Sequence, residues 1–407
     1  MITSFAPNNN WKQVLNSLGY ILLPWRWLSW RSGSYSQKVS TKLKEILKTQ
    51  TGEFFTFDSG RTALCEVLKA YNISSGDEVL LQAFTCTVVP NAIIYAGAKP
   101  IYLDIEVDSY NIDATKIENK ITAKTKAIII QHTFGFAANV PAIMQIAAKH
   151  NLIVIEDCAH SLGAEFNGQK LGTFANASIF SFGVDKVVSG VRGGAAYVKD
   201  PSAIQKLTEL KLPTLPLGII AKHLLHPPFF ALGKVLYPIF IGKIWLYLCK
   251  KLGFTARVIE DSEKKAIKPI WFPAQMPNAL AHLAYSQLQE LEILNKHRQE
   301  IAKFYNQNLP AEFSKPSILT NSSPIYLRYP LESANRNEIH QKAKNEGIFL
   351  GDWYDTVIAP KDADLAAMNY QIGSCPIAEE RSKTTFNLPT HRSINLQKAQ
   401  RIIDLLK

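Results

Sequence analysis

The sequence predicts an α/β fold: a mostly parallel central sheet with helices on both faces, followed by a smaller α+β domain. Three observations carry this reading. Short apolar runs of strand length recur between residues 51 and 198, amphipathic helical segments separate them, and helical spacing dominates a long stretch that begins near Trp271. Strand–helix alternation buries both faces of a parallel sheet. Ligands of such sheets gather beyond the carboxyl ends of the strands.

Taken in order, the start "MITSFAPNNN" lacks the basic segment, apolar core and cleavage site of a secretory signal, so the chain is expected to stay in the cytoplasm. Residues 15–35, "LNSLGYILLPWRWLSWRSGSY", interleave Trp25, Trp27 and Trp30 with Arg26 and Arg31. "RTALCEVLKAY" then places Leu64, Val67, Leu68 and Tyr71 on one helical face. The expected buried strands are "DEVLLQ" (77–82), "KPIYLD" (99–104), "KAIIIQ" (126–131), "NLIVIED" (151–157) and "SIFSF" (178–182), with a short strand after the glycine turn that ends near Val198. Residues 215–251 are overwhelmingly apolar, but prolines and lysines interrupt them before the ~20 clean residues of a membrane span. "PNALAHLAYSQLQELEILNKHRQEIAKFYNQNL" (277–309) reads as one long spine between domains, and "NLQKAQRIIDLLK" as the closing helix. The domain plan is an extension at 1–45, a large domain at 46–270 with an apolar insertion at about 213–256, and a small domain at 271–407.

Composition narrows the function. At 407 residues and 47% hydrophobic content there is material for real cores. The five cysteines form no CxxC pair, which argues against a disulfide framework or zinc site, and no metal is expected. A net charge of +11 does not point to nucleic acid, because the cations are scattered and no binding motif accompanies them. An anionic membrane surface or phosphorylated small molecules suit it better. Trp, Tyr, Lys and Arg beside apolar runs favour a membrane interface for the 15–35 and 213–256 segments, while packing within the protein or a dimer interface is the alternative.

The chemistry lies at strand ends. Asp157 closes the "LIVIED" run and Lys186 follows "SIFSF", which puts both on one rim of a parallel sheet. Alone they are either a salt bridge or half of a ligand site. "FDSGRTAL" places Ser59, Gly60, Arg61 and Thr62 at a helix N-terminus, where free N–H groups and the helix dipole attract anions. Alone this is a helix cap. A phosphate cradle, a carboxylate and a lysine together suit pyridoxal phosphate.

The run "IEDCAHSLGAEFNGQKLGTFANASIFSFGVDKVVSGVRGG" resembles the DegT/DnrJ/StrS family of pyridoxal-phosphate-dependent sugar aminotransferases, as do "AGAKPIYLDIEVDSYNID", "ITAKTKAIIIQHTFG" and "CPIAEERSKTTFNLPTH". The resemblance implies fold type I, a homodimer and active sites between subunits. It implies that Lys186 anchors the cofactor covalently and then moves a proton as base, and that Asp157 holds the pyridinium nitrogen protonated. His160 falls near the ring hydroxyl, where the family commonly has glutamine. Ser181, Gly60, Arg61 and Thr62 fall on phosphate contacts. A related branch has histidine in place of this lysine and performs deoxygenation, so Lys186 favours aminotransfer.

Some positions depart from the family pattern. Cys86 stands where an aromatic residue often covers the ring, so stacking must come from elsewhere or be weaker, although its thiol is kept as a candidate contact to the ring face. Arg192 replaces an acidic residue and faces either a substrate phosphate or solvent. His132 is expected to be packed and hydrogen-bonded. "DWYDTV" (352–357) sits where the family has a substrate-side loop, and His391 and Arg392 are read as belonging to a solvated loop. The function expected is an aminotransferase moving an amino group, from L-glutamate by analogy, to a nucleotide-linked keto-sugar for cell-surface glycan biosynthesis. The alternatives are the same chemistry on a lipid-linked keto acceptor at the membrane, and a non-catalytic peripheral membrane protein with a structural Lys–Asp pair.

Overall fold

Apolar strand sequences organise the large domain. In the computed structural model, which describes residues 2–4, 8–254 and 256–407, seven strands pair into one sheet. We number them β1 (Glu53–Phe57), β2 (Glu78–Gln82), β3 (Lys99–Leu103), β4 (Thr125–Gln131), β5 (Ile153–Asp157), β6 (Ala177–Ser181) and β7 (Gly194–Val198). Their spatial order is β1-β7-β6-β5-β4-β2-β3. β2 through β6 run parallel, and β7 runs antiparallel to both its neighbours. The five expected strands are β2 to β6. β1, which the sequence reading did not anticipate, packs the edge beside β7.

Part of the start considered above, residues 1 and 5–7, lies outside the described residues, as does Thr255 of the insertion. The helices that follow are α1 (Trp11–Leu22), α2 (Tyr35–Leu47), α3 (Gly60–Ala70), α4 (Val88–Ala96), α5 (Val140–Lys149), α6 (Pro201–Glu209), α7 (Leu217–Val235), α8 (Ile241–Lys251), α9 (Asn278–Leu288) and α10 (Leu291–Asn308).

The period-2 alternation of strands divides the core. Val79, Leu81, Ile129 and Ile155 pack with Leu64, Val67 and Leu68 of α3. Leu80, Ile128, Ile130 and Val154 point the other way, against Ile143 and Ala147 of α5. Both faces are thereby dry, as the continuous apolar runs require. A third cluster joins Phe54, Phe180 and Tyr197 to Val39 and Leu43 of α2 and Ala284 of α9.

The expected single spine is two helices. α9 stops at Leu288 and α10 starts at Leu291. The break lets each follow different neighbours: α9 packs on α1, α2 and α7, and α10 on the closing helix Leu396–Leu406. Glu290, at the corner, pairs with Lys12 at 2.9 Å and Arg392 at 3.1 Å. Beyond α10, strands Tyr329–Glu332 and Thr385–Leu388 form an antiparallel pair.

The two segments that fit neither domain meet each other. α1 packs against α7, and α7 against α8 and α9. Tyr20, Ile220, Leu224, Leu280 and Leu283 form their shared core. The packing reading therefore holds for the inner faces. The outer faces are exposed. Among the described residues no helix is long and apolar enough to cross a membrane.

Candidate active site

The parallel register delivers three side chains to one rim. Asp157, the last residue of β5, lies opposite Gln131 of β4 and Ile179 of β6. Ser181 ends β6, and the chain turns through Gly183 to Lys186. These residues open into a cavity of about 470 Å³. Its walls include Ser59, Gly60 and Arg61 from the start of α3, with Cys86 and His160.

Lys186 sits on a held loop. Asn8 Nδ2 donates to the carbonyls of Lys186 (2.6 Å) and Val187 (2.9 Å), and Arg298 of α10 donates to the Val187 carbonyl at 2.9 Å. The Ser189 amide donates to Gln287 of α9 at 2.7 Å. Burial pushes the lysine pKa below its ordinary value, although Cys86, Asp157 and Asp185 pull it the other way. Burial thus favours the neutral, nucleophilic form of this amine more than an exposed lysine allows.

Asp157 is 5% exposed, and its Oδ1 accepts the Ala159 amide at 3.0 Å. Burial pushes its carboxyl pKa up, against the pull of that amide, Lys186 and His132. Such a carboxylate is suited to a cationic partner brought in from the cavity. Behind it, His132 accepts the Ala138 amide at Nδ1 (3.2 Å), so Nε2 donates to Glu156 at 3.1 Å. Glu156 also takes the amides of Gly172, Phe174 and Ala175. His132 is packed and bonded as expected. Although His132, Glu156 and Cys158 lie within 4.8 Å of one another, these partners account for the histidine and the carboxylate without a metal.

The start of α3 offers anion-binding groups. Ser59 caps the helix, accepting the Thr62 amide at 3.2 Å, while the Gly60 and Arg61 amides stand in the first turn with no intrahelical acceptor. Space here is minimal. A Cβ on Gly60 would lie 3.1 Å from the Ser181 Cβ, and one on Gly194 would lie 2.3 Å from the Gly60 nitrogen. Glycine at both positions lets two backbones approach at the pocket floor.

The side chains of this turn are committed differently from the sequence expectation. Thr62 is fully buried and its hydroxyl donates to Asp58 at 2.5 Å, so it is absent from the cavity wall. The Arg61 guanidinium forms a buried ion pair with Glu263, a partner far along the chain. Arg192 lines the cavity but is paired rather than solvated: it grips Asp58 through Nε at 2.9 Å and Nη2 at 2.5 Å, and is 7% exposed. The backbone amides of the α3 start and the hydroxyls of Ser59 and Ser181 are available to an anion, in a cavity that Arg61, Arg192, Arg257 and Lys361 also line.

His160 accepts the Phe134 amide at Nδ1 (3.3 Å), which leaves Nε2 to donate to the Tyr354 hydroxyl at 3.4 Å. Burial, with Lys186 and Arg328 nearby, holds its pKa well below the ordinary range, so it is neutral. Its ring stacks on Trp353 at 5.1 Å between centroids. Trp353 also lies 5.0 Å from Lys186 Nζ and 4.0 Å from the Arg328 guanidinium. No role was read for Trp353 in the sequence, although its "DWYDTV" stretch was placed on the substrate side. Trp353 thus brings an aromatic ring to the cavity wall that the sequence reading did not assign. His223 of α7 also reaches the cavity. It lies in a segment that carried no site signal. The solvated-loop expectation fails for His391, which is buried and donates to the Thr3 carbonyl at 2.7 Å, and holds for Arg392, which is exposed and pairs with Glu290; neither lines the cavity.

A lysine, a buried carboxylate and a helix-start anion cradle around one cavity fit pyridoxal phosphate, and the fold is that of the type I aminotransferases. The sequence profile of the DegT/DnrJ/EryC1/StrS aminotransferase family matches residues 25–217 and 249–407, and the chain belongs to that family. It is a pyridoxal-phosphate-dependent transaminase. Among its relatives, GDP-perosamine synthase from Vibrio cholerae is 27% identical over 91% of this chain and 87% of its own. UDP-N-acetyl-3-dehydro-alpha-D-glucosamine 3-aminotransferase from Acidithiobacillus ferrooxidans is 27% identical over 86% of this chain and 82% of its own. The crystal structure of NtdA from Bacillus subtilis with bound cofactor PMP superposes with a TM-score of 0.73 at 21% identity, covering 97% of this chain and 80% of that one.

Proposed function

We propose that this transaminase moves an amino group from L-glutamate to a keto-sugar carried on a nucleotide, and that it works as a homodimer in making surface glycans. The observation that carries the chemistry is the convergence of Lys186, Asp157 and the α3 start on one cavity. The acceptor class is supported by relatives whose names specify GDP- and UDP-linked sugars.

Bound pyridoxal phosphate would supply an electrophilic aldehyde and a ring that accepts electrons when the Cα proton leaves. In this reading Lys186 Nζ holds the cofactor covalently at rest. Once freed, the same Nζ would serve as the base that takes the donor-carbon proton and as the acid that gives it back to the cofactor carbon. The lowered lysine pKa keeps that amine able to accept a proton. Asp157 keeps the ring nitrogen protonated, and the Gly60 and Arg61 amides with Ser59 and Ser181 orient the phosphate. Trp353 and neutral His160 bound the ring space and exclude water.

The test is spectroscopic. Purified protein with pyridoxal phosphate should show a visible band that L-glutamate bleaches, and borohydride should label the peptide containing Lys186. Lys186→Ala should lose the band, the label and turnover together. A Lys186→Ala protein that still turns over would overturn the assignment.

A further inference from the structure

Two stretches fall outside the family match, residues 1–24 and 218–248, and they are the stretches that meet in space as α1, α7 and α8. We propose that this lobe is a docking surface for an anionic lipid bilayer.

The helices present apolar side chains outward as well as inward, α1 burying Val14 and Tyr20 on its inner side. α1 buries Gln13 and Ser17 but exposes Trp11 (68%), Leu15 (66%) and Leu22 (66%). These recur at helical spacing, so they form one outward stripe. α8 repeats the pattern: Ile241, Ile244, Tyr247 and Leu248 are exposed, preceded by exposed Phe240. The turn Pro24–Ser29 adds exposed Trp25, Trp27 and Leu28, the last at 91%. A soluble surface scatters such side chains, whereas here they are gathered on contiguous elements.

Charge identifies the occupant. Residues 1–44 and 210–259 hold 13 of the 45 lysines and arginines and none of the 34 carboxylates. The other 313 residues therefore carry 32 cations against 34 carboxylates, and the whole net charge of +11 originates in these two segments. Seven of these cations, Lys12, Arg26, Lys222, Lys234, Lys243, Lys250 and Lys251, lie on α1, the turn Pro24–Ser29, α7 and α8, and the rest on α2 and flanking loops. Lys243, Lys250 and Lys251 are exposed on α8 beside its apolar stripe, and Lys243 Nζ lies 4.0 Å from the Phe240 ring centroid. Apolar side chains rimmed by cations, with tryptophans among arginines, complement acyl chains beneath anionic headgroups. A second copy complements the α8 face poorly, because a two-fold contact there would set Lys243, Lys250 and Lys251, for which no carboxylate partner is seen among the described residues, against themselves. The inner side of the same lobe walls the active-site cavity through His223, so docking would bring that cavity close to the bilayer.

The experiment floats the full-length, cofactor-loaded protein with vesicles of phosphatidylcholine alone and with about one-third phosphatidylglycerol, at low and high salt. The protein should rise with the anionic vesicles and bind less as salt increases. Lys250→Ala with Lys251→Ala should lower the partition coefficient about thirtyfold while the glutamate response of the visible band is kept. Ile244→Ser with Tyr247→Ser should abolish the salt-resistant part of binding. Protein that stays at the bottom with both vesicles overturns the proposal. So does light scattering in which Ile244→Ser with Tyr247→Ser dissociates an oligomer while lipid partition is unchanged, since the face is then a contact between copies.

Discussion

Lys186 and Asp157 share a cavity but are pushed in opposite senses by the same cause. Burial lowers the lysine pKa and raises that of the carboxyl, because each charged form loses water. Both charges are therefore costly until a cofactor arrives. A folded carboxyl pKa above the unfolded one means that the ionised form opposes folding at neutral pH. Asp157→Asn should accordingly unfold at higher urea than the native protein when both are free of cofactor, yet lose activity by about a hundredfold or more. Urea titration and a transamination assay on the same preparation check this. A variant that is less stable and still active would contradict the cavity assignment.

At the scale of elements, the lysine loop is held from a distance. Asn8 precedes α1, yet its amide nitrogen bridges the Lys186 and Val187 carbonyls, and its Oδ1 accepts from Arg298 of α10 at 3.1 Å. Gln287 of α9 donates to the Asn8 carbonyl at 2.9 Å. The N-terminal segment is therefore part of the catalytic platform. Asn8→Ala leaves the buried Val187 carbonyl and Arg298 with fewer partners, a cost of about 1–3 kcal/mol. Denaturant unfolding should show that loss, and turnover should fall more than cofactor affinity because the lysine is positioned less firmly. Equal stability in the variant would remove Asn8 from this role.

For the whole molecule, acid should act through buried histidines. His223 donates Nδ1–H to the Ile219 carbonyl at 2.7 Å, and burial holds its pKa at about 3. His391 is likewise buried and held at about 3. Their unfolded values lie near 6.5, so between that pH and about 3 the unfolded chain binds protons that the folded one refuses. Stability should fall as pH falls through this window, by about 1.4 kcal/mol per histidine per pH unit. Urea midpoints at about pH 7 and 5.5 measure the slope, and His391→Asn should flatten it. A slope unchanged by that substitution would show that other groups control acid unfolding.

Local pattern in the sequence was enough for the five parallel strands, for Lys186 and Asp157 on one rim, and for the Ser59-capped helix start beside them. Each depends on periodicity or on a motif of a few residues, and a parallel sheet leaves its strand ends only one place to converge. The expected single spine broke at Gln289–Glu290 because α9 and α10 follow different neighbours. The Arg61–Glu263 and Arg192–Asp58 pairs and Trp353 beside His160 each join residues more than 100 positions apart, and His223 enters the cavity from a helix that carries no motif, so no periodicity encodes these contacts. The charge surplus shows the same division. Its size was legible in the composition, but the placing of seven of its cations on one apolar lobe was decided by the packing of α1 on α7.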